Sequence, residues 1–176
     1  HEALRQVPVA PHPAVVIGLR VPDDAAVFSP PAGRLLVQSA DFFPTLINDP
    51  WLFGRITANH ALNDLHAMGA TPLLAQATAT LEPAAERIMI ERLAHLLAGA
   101  AAQLSAAGAA LVGGHTAEGG ELALGLTVTG TAAADRLLRK TGLQPGDQLL
   151  LTKPLGTGVL FAADREHRLP ARVLQV

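Results

Sequence analysis

Hydrophobic residues recur at helical spacing in two long segments of the chain and alternate with polar residues in several short ones. Asn48-Asp49-Pro50 has the residue types of a helix start, and the spacing predicts a helix from there to about Met68, with Gly69 as its C-terminal stop. A second helix is predicted from Pro83 to about Ala107, ended by Gly108. Each helix has one apolar face, so we expect both to pack against a sheet.

Strands are predicted where short apolar runs are bounded by turn residues or where small apolar and polar residues alternate. Leu35–Ala40 is expected to end at the acidic residue Asp41, and the strand that follows the second helix is expected to enter a Gly-Gly-His-Thr turn. These elements predict an α+β fold in which a mixed or antiparallel sheet is packed by two long helices. The predicted strands are Val15–Leu19, Leu35–Ala40, Ala75–Thr80, Ala109–Val112, Leu122–Thr129 and Leu149–Thr152.

The chain is predicted to have three parts. Residues 1–14 contain Pro8, Pro11 and Pro13, which favour an extended lead-in over a helix. Residues 15–152 are predicted to form the main domain. Glycines interrupt the pattern after Lys153, so residues 153–176 are expected to be the start of a following domain.

Composition narrows the possible functions. Of the 176 residues, 49% are apolar and 16% charged, which excludes a largely disordered chain. A net charge of −2 provides no basic surface for nucleic acid, and the absence of cysteine excludes disulfides, thiolate zinc sites and thiol nucleophiles within these residues. The alanine-rich stretch from Ala84 to Gly108 carries five ionisable residues, so it is not predicted to cross a membrane. Without a signal-peptide pattern, a cytoplasmic location is expected.

Four acidic residues are the first candidates for chemistry. Carboxylates from separate elements suit a hard cation such as Mg²⁺, which takes oxygen ligands and often bridges substrate phosphates. Each residue alone is more typical of a turn, a cap or a solvated helix face, whereas the four taken together leave both interpretations open. The four are Asp23 and Asp24 after the first strand, Asp41 at the end of the second, and Asp64 in the first helix, on a face shared with His60 and Thr57.

The segment Gly113-Gly114-His115-Thr116 is the second candidate. Its glycines would let backbone amides approach an anion closely, although an ordinary tight turn has the same composition. The chain contains neither the phosphate-binding pattern G-x-x-x-x-G-K-[ST] nor G-x-G-x-x-G, and its seven histidines include no H-E-x-x-H pair. A bound nucleotide would therefore be held by another design.

Seven segments, in this order, together resemble a known family. They are Asp23–Val27 (DDAAV), Asp41–Phe43 (DFF), Asn48–Pro50 (NDP), Phe53–Gly69 (FGRITANHALNDLHAMG), Gly113–Thr116 (GGHT), Gly125–Gly130 (GLTVTG) and Leu151–Gly158 (LTKPLGTG). This combination resembles selenophosphate synthetase, also called selenide, water dikinase. DDAAV alone is shared with a superfamily that includes aminoimidazole ribonucleotide synthetase and thiamine-monophosphate kinase.

The resemblance implies an ATP-dependent phosphotransferase that makes selenophosphate from selenide, ATP and water and releases AMP and phosphate. It implies an N-terminal domain of the aminoimidazole ribonucleotide synthetase type, which pairs with a second copy to close a β-barrel. By position in the motifs, Asp24 and Asp64 match magnesium ligands. ATP-contacting positions are matched by Val21, Pro22, Asp23, Asp41, Asp64, Gly114, His115 and Thr116. A homodimer is also expected because strands such as Leu122–Val128 leave edges that need covering.

The chain departs from the family pattern at several positions. Members carry a reactive Cys or Sec and a nearby Lys in an N-terminal segment, which residues 1–14 do not resemble, so no catalytic residue is assigned. Pro22 stands where an arginine is usual. A further metal-binding aspartate belongs to the family's second domain, so this chain alone is not expected to complete the reaction. Two alternatives therefore stay open: the ATP-binding domain of a related superfamily kinase such as thiamine-monophosphate kinase, and a non-catalytic nucleotide-binding dimerisation module.

Overall fold

A computed structural model describes residues 2–17, 27–28, 31–139, 141–166 and 168. The chain divides into two compact units, His1–Arg139 and Lys140–Val176. The boundary predicted between residues 152 and 153 stays a prediction. In chain order the first unit contains α1 (Glu2–Arg5), β1 (Val15–Ile17), β2 (Val27–Phe28), β3 (Leu35–Pro44), α2 (Pro50–Ala67), β4 (Thr71–Leu81), α3 (Glu86–Ala106), β5 (Ala110–Glu118), β6 (Ala123–Ala132) and a 3₁₀ turn (Ala134–Arg136).

The first unit is built on a four-stranded sheet in the order β3-β6-β4-β5. β6 is antiparallel to both neighbours, whereas β4 and β5 are parallel and are joined through α3, as a parallel pair requires. β1 and β2 form a separate antiparallel pair. The sheet is therefore mixed, and the predicted α+β class with two long packing helices is confirmed.

Both long helices lie on one face of this sheet. α2 packs against β3, β6 and β4, and α3 packs against β4, β5 and α2. The core between the layers includes Phe53 and Leu65 from α2, Leu96 and Leu104 from α3, and Leu126 from β6, all almost fully buried. Burial of these side chains is the main stabilising contribution to the layer arrangement.

Local signals set the ends of α2. The Asp49 carboxylate accepts a hydrogen bond from the Leu52 amide at 3.0 Å, and Pro50 occupies the first turn. At the other end the Ala70 amide donates to the Leu65 carbonyl at 2.8 Å, while Gly69 has φ of 70°, the left-handed conformation that glycine adopts without strain. The predicted start and stop of this helix are confirmed.

Two glycines allow α2 and α3 to approach closely. A Cβ added at Gly54 would lie 2.0 Å from the Leu96 carbonyl oxygen, and one added at Gly99 would lie 1.9 Å from the Trp51 carbonyl oxygen. Neither distance is compatible with a side chain, so the helix backbones meet where these glycines face them. This contact fixes how closely α2 packs against α3.

Several predicted elements differ from the structure. The lead-in contains one helical turn, α1, rather than being extended throughout. β3 does not end at Asp41 but continues to Pro44. β5 continues through the whole Gly-Gly-His-Thr segment, so the predicted turn there is wrong. β6 is a central strand paired on both sides, so the expectation that Leu122–Val128 leaves an edge for a second copy to cover is wrong. The last two residues of the predicted strand Val15–Leu19 lie outside the described residues.

The second unit contains one helix, α4 (Thr157–Arg165), among its described residues. Leu149–Thr152 is not a strand, and its leucines are exposed, Leu150 at 86%. A strand needs a partner for its backbone groups, and the described residues provide none for this segment. No helix in the described ranges combines the length and the apolar character that crossing a membrane requires.

Candidate functional site

The sequence-predicted residues fall into three groups in the fold. Val21, Pro22, Asp23 and Asp24 lie outside the described residues. Asp41 and Asp64 lie on β3 and α2, two elements that pack together, whereas Gly114, His115 and Thr116 lie on β5 at the opposite edge of the sheet. The single chain therefore brings the first two together and holds the last three apart from them.

Asp64 is held by a residue of the neighbouring strand. The Ser39 hydroxyl donates a hydrogen bond to Oδ2 of Asp64 at 2.5 Å. Side chains alternate between the two faces of a strand, so Ser39 and Asp41, two residues apart, both face α2. The carboxylate of Asp64 thus points from the exposed side of α2 toward the face of β3 that carries Asp41.

Asp41 contacts the same helix one turn earlier. Its Oδ2 lies 3.5 Å from Nδ1 of His60, which is an ion pair when the imidazole is protonated. The His60 ring packs edge-on against Phe43, with ring centroids 4.7 Å apart. His60 and Asp64 are four residues apart, so they project from successive turns of α2 toward Asp41 and Ser39 respectively. The two elements therefore present both carboxylates on facing surfaces.

One oxygen of this pair lacks a hydrogen-bond partner. Oδ2 of Asp41 is buried and accepts no hydrogen bond, since His60 Nδ1 lies beyond good hydrogen-bond geometry. A buried carboxylate oxygen without a donor is costly, and a cation or a ligand donor would offset that cost. The Thr57 hydroxyl is also buried and unpartnered; Thr57 is 1% exposed and lies two helical turns before Asp64 on the same side of α2, as predicted.

The donor set fits a magnesium ion shared with a substrate rather than one held by protein alone. Mg²⁺ commonly takes one or two carboxylates and completes its octahedron with water and phosphate oxygens. Asp64 provides one carboxylate for such an ion, and Asp41 provides a second, whose unpartnered oxygen suits a hydrogen-bond donor of the substrate. Across the residues that the structure describes, no group of three or more His, Cys, Asp or Glu side chains could hold a metal ion by itself.

Glycine at position 114 is explained by strand pairing and not by the approach of an anion to its backbone amide. A Cβ at Gly114 would lie 1.9 Å from the carbonyl oxygen of Ala77 on β4. Glycine at this position is therefore required for β5 to pair closely with β4. Among the described residues no strand pairs with β5 on its outer side, so His115 and Thr116 lie on an edge strand, and both are exposed.

The two candidate groups lie at the same height on the sheet. Asp41 pairs with Leu126, Leu126 with Ala77, and Ala77 with Gly114. Residues paired in register share a face, so Asp41 and Gly114 are the two ends of one row across the sheet. Three strand spacings separate them, about 14 Å at 4.7–4.9 Å each. A nucleotide contact by both groups would need a second chain or a large movement.

Sequence patterns do not indicate that Ser39 and Phe43 belong to this site. Ser39 was part of a predicted strand and carried no signal of its own, because a serine hydroxyl becomes informative only when the element it faces is known. Phe43 was part of a motif but had no assigned role, and the structure places its ring against His60. A period-2 pattern that includes Asp41 was the one signal that could have placed Ser39 beside it.

Comparison with known proteins assigns the chain to a family. Residues 22–132 match the family model described as AIR synthase related protein, N-terminal domain. The chain belongs to this family. The matched range runs from the Asp23-Asp24 segment to the last residue of β6, so it includes every candidate residue except Val21.

The curated relatives of this AIR synthase related domain include selenide, water dikinases. One from Nitratidesulfovibrio vulgaris is 47% identical over 149 residues, which cover 85% of this chain and 42% of the relative. One from Desulfitobacterium hafniense is 40% identical over 174 residues, which cover 99% of this chain and 50% of the relative. The chain therefore spans half or less of the length of these relatives, and the predicted resemblance to their family is confirmed.

Solved structures share the fold. A thiamine-monophosphate kinase from Stenotrophomonas maltophilia superposes with a TM-score of 0.76 at 27% identity, covering 90% of this chain and 50% of that one. The hydrogenase maturation protein HypE gives a TM-score of 0.67 at 21% identity, covering 94% of this chain and 50% of that one. Both likenesses support the AIR synthase related architecture described above.

Proposed function

We propose that this chain is the ATP- and magnesium-binding domain of a selenide, water dikinase, which forms selenophosphate from selenide, ATP and water and releases AMP and phosphate. The observation that carries the proposal is that β3 and α2 bring two carboxylates to one edge of the sheet, Asp41 with its unpartnered buried oxygen and Asp64 one helical turn beyond His60. The 47% identity to a relative of that name supports the choice of reaction.

In this proposal Asp64, together with Asp24, binds the magnesium ion, and Asp41 contacts the nucleotide. The ion, when bound, neutralises triphosphate charge and orients the phosphates for transfer. Val21, Pro22 and Asp23 contribute further nucleotide contacts, as their motif positions predict. The protein's own contribution at this edge is to hold two carboxylates on rigid elements, a strand and a helix, before the ligand arrives.

We further propose that the working unit is a homodimer with composite nucleotide sites. β3 and β5 are both edge strands, and Asp41 and Gly114 end the same row of the sheet. A partner whose β5 lies beside β3 would bring its Gly114, His115 and Thr116 next to Asp41 and Asp64. Closing two four-stranded sheets into one barrel also removes both exposed edges, which are otherwise liable to unspecific pairing.

The sheet face opposite the helices supports such a pairing. We call the part of it that is not buried the open face, and it includes Leu36, Gln38, Ala40 and Phe42 of β3, Thr127 of β6, Gln76 and Thr78 of β4, and His115 and Ala117 of β5. Phe42 is 54% exposed there and Leu36 52%. Large exposed apolar side chains on a sheet face are typical of a surface that a partner buries.

Calorimetric titration of the chain with a non-hydrolysable ATP analogue tests the nucleotide site. Binding is expected with Mg²⁺ and is expected to be much weaker without it. Asp64→Asn should abolish the magnesium dependence, because it removes a carboxylate charge at the ion. Asp135→Asn, the same change at an exposed residue of the 3₁₀ turn, is the matched control and should bind as the unaltered chain does. Equal loss in both variants, or binding that ignores Mg²⁺, contradicts the proposal.

A mixing experiment tests whether the site is composite. Asp64→Asn and Thr116→Val chains should each bind nucleotide poorly as homodimers. When they are unfolded together and refolded, each mixed dimer has one site with both substitutions and one site with neither. Part of the binding should return in the mixture. If both residues act within one chain, the mixture will bind no better than the two separate samples.

A second candidate is the ATP-binding domain of a thiamine-monophosphate kinase. The observation in its favour is the 27% identity and TM-score of 0.76 with such an enzyme over 90% of this chain. Both candidates predict magnesium-dependent ATP binding, so the phosphoryl acceptor separates them. If thiamine monophosphate tightens binding of the ATP analogue while selenide does not, the second candidate replaces the first.

A further inference from the structure

The proposed function assigns no role to the contact between Ser39 and Asp64. This contact joins residues 25 positions apart in the chain, and it is short, at 2.5 Å. Hydrogen bonds from a hydroxyl to an ionised carboxylate have this length and are among the stronger ones in proteins. The bond lies at the exposed edge between β3 and α2, beside the side chain of Asp41 rather than within the apolar core.

A donor on one carboxylate oxygen determines what the other oxygen can do. An ionised aspartate only accepts hydrogen bonds, and the Ser39 hydroxyl takes one acceptor site of Oδ2, so Oδ1 stays available to a cation or to solvent. The same bond restricts rotation about the bond between Cβ and Cγ. On the exposed surface of α2, the Asp64 carboxylate would otherwise sample several orientations.

We propose that Ser39 is a positioning residue for Asp64. Its hydroxyl holds Oδ2 so that Oδ1 is directed to the divalent cation that the nucleotide phosphates share. The inference rests on the proposed function, since it requires Asp64 to bind that cation. Residues that orient a metal ligand without touching the metal commonly change metal affinity by about 10–100-fold when they are removed.

A purely structural role for Ser39 makes a different prediction. If the bond served only to attach β3 to α2, its loss would lower stability and would weaken nucleotide binding equally with and without metal. Attachment of these elements already has other sources, including the contact of Phe43 with His60 and the buried side chains of α2. The positioning role instead predicts a loss confined to the metal-dependent part of binding.

Two isosteric substitutions separate these roles. Ser39→Thr keeps the hydroxyl and Ser39→Val removes it, while both place a β-branched side chain that a strand accommodates well. The 176-residue chain of each variant is titrated with Mg²⁺ at a fixed concentration of a non-hydrolysable ATP analogue, and with the analogue alone. Urea unfolding of the same samples measures stability. Ser105→Ala, which removes a hydroxyl from an exposed position of α3, is the control.

Ser39→Val is expected to weaken the apparent magnesium affinity roughly tenfold, the lower end of that range because the bond is exposed. Ser39→Thr and Ser105→Ala should stay within about twofold of the unaltered chain. Binding of the analogue without metal should not change in any variant. Since Thr and Val have the same shape, a difference between them reports the hydroxyl even if both are somewhat less stable.

Three outcomes would overturn the inference. Equal magnesium affinity of the Thr and Val variants, with Asp64→Asn still abolishing it, refutes positioning by Ser39 while the proposed function stands. A loss of equal size with and without Mg²⁺ assigns Ser39 a structural role only. If the unaltered chain and Asp64→Asn bind Mg²⁺ and nucleotide alike, the proposed function fails, and the inference fails with it.

Discussion

Replacing Gly99 with alanine tests the packing that positions α2. The added Cβ would lie 1.9 Å from the Trp51 carbonyl oxygen, whereas ordinary contact begins at 3.4 Å, so the helices must separate by about 1.5 Å there. A backbone carbonyl cannot rotate away, so we take the upper end of the usual cost of overpacking, about 3 kcal/mol. Alanine has a higher helix propensity than glycine, which offsets about 1 kcal/mol of this cost. The net expected loss is about 2 kcal/mol of unfolding free energy.

Urea unfolding followed by far-ultraviolet circular dichroism measures this loss. In thermal unfolding, the same 2 kcal/mol decrease would lower the melting temperature by roughly 4–8 °C for a chain of this size. Gly158→Ala is the matched control, because Gly158 also lies in a helix but an added Cβ there meets no atom within 4 Å. The control should leave stability unchanged or raise it slightly.

Whether Gly99→Ala lowers or raises the free energy of unfolding decides whether the close helix contact exists. Helix propensity alone would make Gly99→Ala at least as stable as the unaltered chain, which is the result expected for Gly158→Ala. If Gly99→Ala unfolds at the same or a higher urea concentration than the unaltered chain, α2 and α3 do not meet at Gly99 as described. The close approach of the two helices would then be refuted.

Three further predictions concern a cap, an ion pair and the open face. Asp49→Ala should cost about 1 kcal/mol in urea unfolding, because it removes the acceptor for the Leu52 amide at the start of α2; an unchanged midpoint would contradict that cap. Arg92→Ala should change stability by less than about 1 kcal/mol, since the ion pair with Glu82 is half exposed, and a larger loss would refute this assessment. Phe42→Asp should convert the proposed dimer to a monomer in sedimentation velocity; a dimer that persists would exclude the open face as the interface.

The helices could be predicted from sequence because their signals are local. The cap residues Asp49 and Gly69 act within a few positions of the helix they delimit, and each does in the structure what its residue type suggested. The central sheet strands were likewise evident from alternation. β3 was predicted too short because a charged residue resembles a strand end, whereas Asp41 faces α2 at the edge of the layers, where a carboxylate is tolerated.

The turn predicted at the Gly-Gly-His-Thr segment is wrong for a reason that lies outside the segment. Two consecutive glycines indicate a turn when only neighbouring residues are considered. The structure shows that Gly114 is needed because the carbonyl oxygen of Ala77, on another strand, lies where a side chain would be. No property of the segment itself distinguishes the two cases, so the pairing of β4 with β5 had to be known first.

The candidate site, too, could be predicted from the sequence only in part. Asp41 and Asp64 could be selected from residue type and motif, because hard cations require oxygen ligands. Their partners Ser39 and His60 follow only from the packing of α2 on β3. The separation of Asp41 from Gly114 by three strand spacings follows from strand order, which sequence patterns did not provide.

Paramagnetic broadening of amide resonances locates the metal and the nucleotide on the protein. A ¹⁵N-labelled sample of the chain is titrated with a non-hydrolysable ATP analogue and Mn²⁺, whose paramagnetism broadens the resonances of nearby amides. The account predicts that amides around Ser39, Asp41 and Asp64 lose intensity first, together with those of Gly114 and Thr116 if the site is composite, while amides in the middle of α3 keep theirs. Broadening that leaves the β3–α2 edge unaffected would contradict the assignment of this edge as the site of the metal and the nucleotide.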